Sequence, residues 1–400
     1  DDFWLTIDQG SIDLAEISPL VGIPISGRAN VDLRIGDTYS DVALHAAYSI
    51  ENFEFGEMPL GRIHVGQADL EKGGIAVRFH QIRGSKGATD YRVSDLLLDF
   101  EEAFELTASG TFDRFTLADV RQMLRLEDEP GIEDVEAVGR GRVTAHYTQG
   151  FPGDSPTGTL RLDIATVLDS AEVLEVPFDG GEANVRLVWK DFERGVDGMM
   201  LDLDRVFLTK EGGTASLGGR LLLGGKLAMD LVFDRLPLAG IPDVREISPH
   251  LSGHAGGIGR IGGTLDVPHL DLELRLANVA YERSLLGDGL FYVRLADRSE
   301  TVDTPAPAGC EKAWEGLANA RWRRPGDPPG AKAPPPMAWL VCGRAFGDTL
   351  VTDIALGWDK RSPLRGELVA RELDLTPFLP VGEDGPVGKA SISGRVQWTG

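Results

Sequence analysis

Much that enzymes and nucleic-acid binders depend on is scarce in this chain. Only two of its 400 residues are cysteine, and only seven are histidine. No histidine pair stands near the cysteines, so a mixed zinc site lacks its donors. There is no G-x-S-x-G nucleophile elbow and no Cys–His phrase suggesting a triad. Carboxylates are too numerous for any pair to stand out, so nothing specifies catalysis, a cofactor or a metal, and the chain reads as a non-enzyme. Aromatic residues are only 7% of the chain, too few for the stacking platforms of a glycan-binding surface array. Positive charge is also short, with 40 Lys and Arg against 63 Asp and Glu, a formal net charge of −23. Phosphate backbones and anionic leaflets are gripped by basic surfaces, so this balance argues against nucleic acid and against polybasic docking on a membrane. The acids read instead as solubilising charge on a long β surface. No run approaches 18 apolar residues, and no signal-peptide pattern is present.

What the chain does have is glycine and repetition. Glycine fills 50 of 400 positions, against a usual ~7%, and it lies among abundant Leu and Val, so it marks turns rather than disorder. A connector phrase comes round four times: Ile12-Asp13-Leu14-Ala15, Phe115-Thr116-Leu117-Ala118, Leu236-Pro237-Leu238-Ala239 and Leu373-Asp374-Leu375-Thr376. Its central leucines are spaced 103, 121 and 137 residues apart. Glu16-Ile17-Ser18-Pro19 and Glu246-Ile247-Ser248-Pro249 extend the likeness between two copies. A Gly-rich restart follows each connector, at Ser26-Gly27-Arg28, Gly139-Arg140-Gly141-Arg142, Gly259-Arg260-Ile261-Gly262-Gly263 and Ser393-Gly394-Arg395. Repeated supersecondary units bury their apolar faces against their neighbours, which favours one long surface over one pocket. The expected organisation is the end of a preceding repeat at 1–26, then repeats at 27–138, 139–252 and 253–388, and the start of a further repeat at 389–400. The third full repeat carries a Pro-rich insertion at 301–341. The chain opens at Asp1 without a methionine and stops inside a strand-like phrase, so it reads as a fragment of a longer protein.

Strict alternation dominates between the connectors. Leu160, Leu162 and Ile164 alternate with Arg161, Asp163 and Ala165. Val185, Leu187 and Trp189 behave likewise, as do Leu227, Met229, Leu231 and Phe233, and then Leu270, Leu272, Leu274 and Leu276. A period of two is that of a strand with one dry face and one wet face. Helix is scarce. The best candidate runs over Leu117–Leu126, capped by Thr116 with Asp119 three residues on. The predicted fold is therefore mainly β: an elongated, continuous antiparallel sheet with short connector helices. About 25 strands at ~4.8 Å would extend roughly 120 Å, and such a sheet must hide its apolar face by curling into a hydrophobic trough or pairing into a sandwich.

Three smaller signals compete with simpler readings. Gly257-Ile258-Gly259-Arg260-Ile261-Gly262 matches the G-x-G-x-x-G dinucleotide fingerprint, but an alternating strand follows where a helix N-terminus is required. His250 and His254, with Asp243 and Glu246, have a metal-like spacing only on a helix, and Gly253, Gly256 and Gly257 make a poor one. Glu127-Asp128-Glu129 and Glu133-Asp134 lack the EF-hand spacing for calcium. Cys310 and Cys342 bracket the Pro-rich excursion Thr304–Pro336. A disulfide closing that loop would stabilise by roughly 3–4 kcal/mol and imply an oxidising compartment; two unrelated buried thiols are the alternative.

The phrase Gly262-Gly263-Thr264-Leu265-Asp266-Val267-Pro268-His269-Leu270, followed by Leu272, Leu274, Leu276, Ala277, Asn278 and Val279, resembles the repeated phrase of TamB-like proteins. These belong to the wider AsmA-like, repeating β-groove group. The recurring connector, Gly-rich restart and extended strands carry the resemblance from Ile12 to Trp398. The Pro-rich excursion departs from it. The resemblance implies a middle stretch of a trough-shaped bridge, in the periplasm and envelope of a Gram-negative cell, anchored in the inner membrane by a segment outside this chain. It also implies phospholipid as cargo, moved between inner and outer membranes, and an outer-membrane β-barrel assembly protein as partner, with no catalytic residues to transfer. The groove candidates are Leu160, Leu162, Ile164, Val185, Leu187, Leu227, Met229, Leu231, Phe233, Leu270, Leu272, Leu274 and Leu276. Sandwich core is the simpler reading of the same rows. A scaffold or chaperone for β-barrel assembly or secretion, offering strand edges to clients, is the rival function.

Overall fold

The computed structural model describes residues 2–399 apart from 22–23, 39–40, 72–74, 102, 128, 130–131, 133, 150–157, 191–197, 266, 283, 297–304, 320–336, 358–364, 375, 377–380, 383–384 and 387–390. Twenty-three strands belong to one antiparallel sheet, and two short strands form a separate ribbon. The fold is mainly β, as the alternation predicts. The chain divides into two compact units, Asp1–Leu208 with Gly218–Gly225, and Thr209–Leu217 with Lys226–Gly400.

The first unit holds β1 (Asp2–Asp13), β2 (Ile25–Thr38), β3 (Asp41–Phe55), β4 (Met58–Val65), β5 (Gln67–Glu71), β6 (Ala76–His80), β7 (Ile82–Lys86), β8 (Thr89–Asp99), β9 (Phe104–Thr116), β10 (Val135–Gln149), β11 (Thr159–Val173), β12 (Val176–Phe178) and β13 (Gly180–Lys190). Hydrogen-bonded neighbours run β1, β2, β3, β4, β7, β8, β9, β10, β11, β13. The register aligns the dry faces into rows that cross the strands. Leu96 stands opposite Ala108, Ala108 opposite Ala145, Ala145 opposite Leu162, and Leu162 opposite Leu187. A slip of one residue would turn any of these strands inside out, so the rows fix the pairing.

β14 (Met199–Lys210) and β15 (Gly213–Leu222) divide between the units. The second unit continues with β16 (Leu227–Pro237), β17 (Leu251–Gly263), β18 (Pro268–Tyr281), β19 (Ser284–Ala296), β20 (Ala338–Ala345), β21 (Leu350–Gly357), β22 (Arg365–Asp374), the ribbon β23 (Val381–Gly382) and β24 (Gly385–Pro386), and β25 (Ser391–Thr399). Strands β16 to β22 pair in sequence order, and β22 then pairs with β25. The G-x-G-x-x-G phrase lies inside β17. A Cβ on Gly257 would come within 2.7 Å of both the Glu273 carbonyl and the Phe233 ring, so the bare backbone makes room for a neighbouring strand's side chain.

The connector phrases have one structural meaning. The first three end a strand and open a helical turn: α1 (Leu14–Val21), α2 (Leu117–Met123), and the 3-10 turn Leu238–Gly240 that leads into α3 (Pro242–Ile247). In the fourth, Leu373 and Asp374 end β22, and Leu375 lies outside the described residues. The strands flanking each connector are antiparallel neighbours, β1 with β2, β9 with β10, β16 with β17 and β22 with β25. Each of these four ladders slips register once along its length. Arg235 and Glu372, immediately before the third and fourth connectors, both take φ of +49°. A bulge there bends the strand end and redirects the chain into the turn. Helix α2 stops at Met123, short of the expected Leu126, because Arg125 adopts φ of +58° and ends the helical path.

The Pro-rich excursion supplies a cover in the second unit. β20 runs Ala338-Trp339-Leu340-Val341-Cys342 with no polar residue; Ala338, Leu340 and Cys342 are buried on one face, and Trp339 and Val341 are half-buried on the other. Helix α4 (Glu311–Asn319) packs Ala313 and Trp314 with Cys310 against Ala338, Leu340, Cys342 and Ala355. Cys310 and Cys342 form a disulfide with Cα atoms 5.2 Å apart. The buried Asp353 carboxylate accepts the Lys312 and Ala313 backbone N–H groups at 2.8 and 2.7 Å, satisfying the first turn of the helix. Arg294 stacks over the Trp314 ring at 4.8 Å.

Candidate functional site

In the first unit the sheet curls around an apolar cavity of about 480 Å³. Its wall is drawn from successive strands: Val31 of β2, Tyr48 and Ile50 of β3, Ile63 and Val65 of β4, Ile82 of β7, Val93 and Leu96 of β8, Leu106 and Phe112 of β9, Val143 and Ala145 of β10, and Leu160, Leu162 and Ile164 of β11. Alternation explains the β11 part of the wall, where Leu160, Leu162 and Ile164 face it, whereas consecutive residues such as Ala108 to Phe112 of β9 border it. Val120, Met123 and Leu124, from α2 and its C-cap, also line the cavity, and so does Leu14 at the start of α1. The connectors therefore contribute apolar side chains to the same space.

A polar clasp fixes α2 in place. Thr116 caps the helix by accepting the Asp119 N–H at 3.3 Å. Its hydroxyl donates to Asp119 Oδ2 at 2.7 Å. The same carboxylate accepts the Ala88 N–H and the Thr89 hydroxyl, each at 2.9 Å. Asp119 and Thr89 are both buried, so one carboxylate ties the start of α2 to the turn between β7 and β8. That turn needs Gly87. Its φ is +57°, and a Cβ there would stand 2.0 Å from Asp119 Oδ1.

The lining includes few polar residues, namely Arg92, Ser109, Thr111 and the two phenols Tyr48 and Tyr91. Arg92 is paired with Asp113 at 2.7 Å and its side chain is 62% exposed, so its charge sits in water. Tyr91 donates to the Leu60 carbonyl at 2.8 Å, and burial pushes its phenol well above the usual range. The opposite, wet face of the sheet carries charge ladders. Asp163 accepts from Arg161 at 2.9 Å and Arg186 at 2.7 Å, and those bonds hold its carboxyl below the usual range. Beside it lies a second concavity of about 350 Å³ lined by Arg142, Thr144, Asn184, Arg186, Asp202 and Asp204.

No family model, curated protein or solved structure matches the chain. The site is therefore described on its own geometry.

The thirteen residues singled out from alternation fall in different places. Leu160, Leu162 and Ile164 line the cavity. Val185 stands opposite Ile164, and Leu187, fully buried, stands opposite Leu162. The rest lie in the second unit. Met229 shares a row with Ile261 and Leu270, and Leu231 with Gly259 and Leu272. Phe233, Leu274 and Leu276 pack around Leu238, Ala255 and Val279, and Leu227 is buried. The β2–β9 part of the wall, with Tyr48, Phe53, Phe79, Tyr91 and Phe112, was not anticipated. Register shifts in the β3–β4 and β8–β9 ladders break the alternation that would have revealed it, while the run of aromatics between positions 48 and 115 was a usable signal.

His250 lies in the turn before β17, and His254 stands within β17 opposite Pro237 and Ala277. Among the described residues, no three His, Cys, Asp or Glu side chains are grouped to hold a metal ion. Asp128 and Glu133 lie outside the described residues. No described helix is long and apolar enough to cross a membrane.

Proposed function

We propose that this chain is a stretch of a lipid conduit of the TamB-like, AsmA-like kind, working in the envelope of a Gram-negative cell. Acyl chains lie along the apolar rows while headgroups stay in water. The observation that carries this reading is the curled sheet of the first unit, which holds an apolar cavity of about 480 Å³ rather than a filled core. That volume falls in the roughly 300–1,000 Å³ range of small-molecule sites. Each methylene kept out of water is worth about 0.8 kcal/mol, so a continuous apolar wall lowers the cost of carrying a lipid without any catalytic step. The disulfide fits an oxidising compartment such as the periplasm. Under this reading the inner membrane holds the protein through a segment outside the chain, and an outer-membrane β-barrel assembly protein is the expected partner.

The test is mass spectrometry of lipids retained after expression in a Gram-negative periplasm and gentle purification. Wild type is expected to keep phospholipid in stoichiometric amount. Leu162→Asp, which sets a charge in the cavity wall, is expected to lose it. Absence of lipid from a folded, disulfide-bonded wild type would make the rows packing alone, and the scaffold for β-barrel assembly would then be the better account.

A further inference from the structure

Arginines on the wet face of this sheet generally meet an acid. Asp163 bridges Arg161 and Arg186, Arg260 pairs with Asp230, and Arg275 with Glu273. One row in the first unit breaks that pattern. Ser49 of β3 stands opposite His64 of β4, His64 opposite Arg83 of β7, and Arg83 opposite Arg92 of β8. Arg92 then stands opposite Thr111 of β9, and Thr111 opposite Arg142 of β10. His64, Arg83, Arg92, Thr111 and Arg142 are all exposed, and the row contains no acid. It runs along the wet face, since the strand neighbours Ile63, Ile82, Val93 and Val143 line the cavity; Arg92 and Thr111 border the cavity as well. Among the described residues, His64, Arg83 and Arg142 have no ion-pair partner. Arg92 meets Asp113 through Nε at 2.7 Å. Like charges directly opposite each other destabilise a ladder, yet Arg83 and Arg92 are so placed in a chain with 63 acids and 40 bases. The acids nearby face other arginines: Glu51 takes Arg62 at 2.9 Å, and Asp90 stands opposite Arg114. Beyond Arg142 the wet face turns acidic, with Asp163, Asp202 and Asp204, so the row is bounded.

We propose that this row is a binding site for a phosphate group, centred on Arg83 and Arg92 with the Thr111 hydroxyl beside them. The planar guanidinium fork matches phosphate oxygens and holds them through charge-assisted hydrogen bonds. A phosphate has oxygens enough for two forks and a hydroxyl, and its charge cancels the repulsion between the two arginines. Strands ~4.8 Å apart set Arg83 and Thr111 roughly 10 Å apart with Arg92 between them, a span that these side chains can close around one small anion. The net charge of −23 repels an anionic leaflet. The ligand is therefore a phosphate presented singly, on a free ester or on one lipid headgroup, and not a membrane surface. The site stands whether or not the cavity carries lipid.

The experiment is calorimetric titration of the full chain with inorganic phosphate, with chloride at equal ionic strength as the control. Wild type is expected to bind phosphate and not chloride. Arg83→Gln and Arg92→Gln are each expected to weaken binding about ten-fold through lost charge-assisted hydrogen bonds. Arg83→Lys is expected to recover only part of the loss, because an ammonium keeps the charge without the fork. Arg260→Gln, on the wet face of the second unit, is expected to bind as wild type does. Phosphate is also expected to raise the urea midpoint of wild type and not that of Arg83→Gln, a measurement that shows at the same time whether the variant is folded. Glycerol phosphate and a soluble short-chain phosphatidic acid separate the two sources. Equal affinity for both assigns a free ester, and a preference for phosphatidic acid that is lost in Arg83→Gln assigns the lipid headgroup. A preference that survives Arg83→Gln belongs to acyl chains in the cavity and leaves the free ester as the ligand of this row. No phosphate binding by wild type, or binding that both glutamine variants leave unchanged, overturns the proposal, and lipid retention in the cavity is untouched by that result.

Discussion

β11 alternates Leu160, Leu162 and Ile164 with Arg161, Asp163 and Ala165, whereas β20 runs Ala338-Trp339-Leu340-Val341-Cys342 without a polar side chain. The two strands sit in similar antiparallel ladders, each paired on both sides. They differ in what touches their second face. On β11 that face is wet and is held by Asp163 bridging Arg161 and Arg186. On β20 it is dry, and α4 with its disulfide lies over it. A strand of this sheet can therefore leave its outer face to water only while that face carries charge. Where the sequence drops the charge, the chain supplies its own cover.

The sharpest way to break this comparison is to truncate one leucine on each strand. Leu340 is completely buried beneath α4, so Leu340→Ala is expected to cost about 3–5 kcal/mol through lost burial and the cavity left behind. Leu162 is only half-buried, on the wall of a cavity that already exists, so Leu162→Ala is expected to cost about 1–2 kcal/mol. Urea denaturation of the two variants checks both figures. Equal losses would mean that the cavity wall is packed like the β20 cover and would count against any ligand space there.

A smaller effect separates the cover from the sheet beneath it. Asp353 holds the first turn of α4 through two backbone N–H groups. Asp353→Asn keeps the size but removes the charge and one acceptor, at an expected cost of about 2 kcal/mol. Amide exchange should quicken in α4 while the strands of the first unit keep their protection. Uniform loss of protection along the chain would show that the cover does not open separately from the sheet.

The same contrast explains how much could be read beforehand. The rows of β11, β13, β16 and β18 were legible because period-two alternation states both the strand and its dry face. The connectors were legible because Thr116 and Asp119 carry a capping signal and because the leucine phrase recurs. The cover was not legible. Asp353 is one acid among 63, and its role exists only because β21 brings it under a helix some 40 residues earlier in the chain. Nor was the β2–β9 wall of the cavity. There bulges such as those between Ile50 and Phe53, and between Val93 and Asp95, shift the face that each residue presents. A pattern of fixed period cannot follow a strand across a register shift.

The weakest expected effect tests the wet face alone. The hydrogen bonds from Arg161 and then Arg186 hold the Asp163 carboxyl below its ordinary range. The unfolded chain, with a carboxyl near pKa ~3.9, then binds more protons than the folded chain as the solution is acidified. This stabilisation is complete above the unfolded value and is lost as pH falls through the folded one. Asp271 on β18 is lowered too, although burial opposes it, because Arg294 and Tyr292 both donate to it. Asp163 is 39% exposed, so solvent screens much of its effect. Denaturation curves between pH 5 and 3 should fall less steeply with pH for Asp163→Asn than for wild type. Asp271→Asn should flatten the profile to a similar small extent, because its side chain, 44% exposed, is screened by solvent much as that of Asp163 is. Profiles that match wild type in both variants would mean that these bridges form equally in the unfolded chain, and the wet face would then owe its order to the apolar rows behind it rather than to charge.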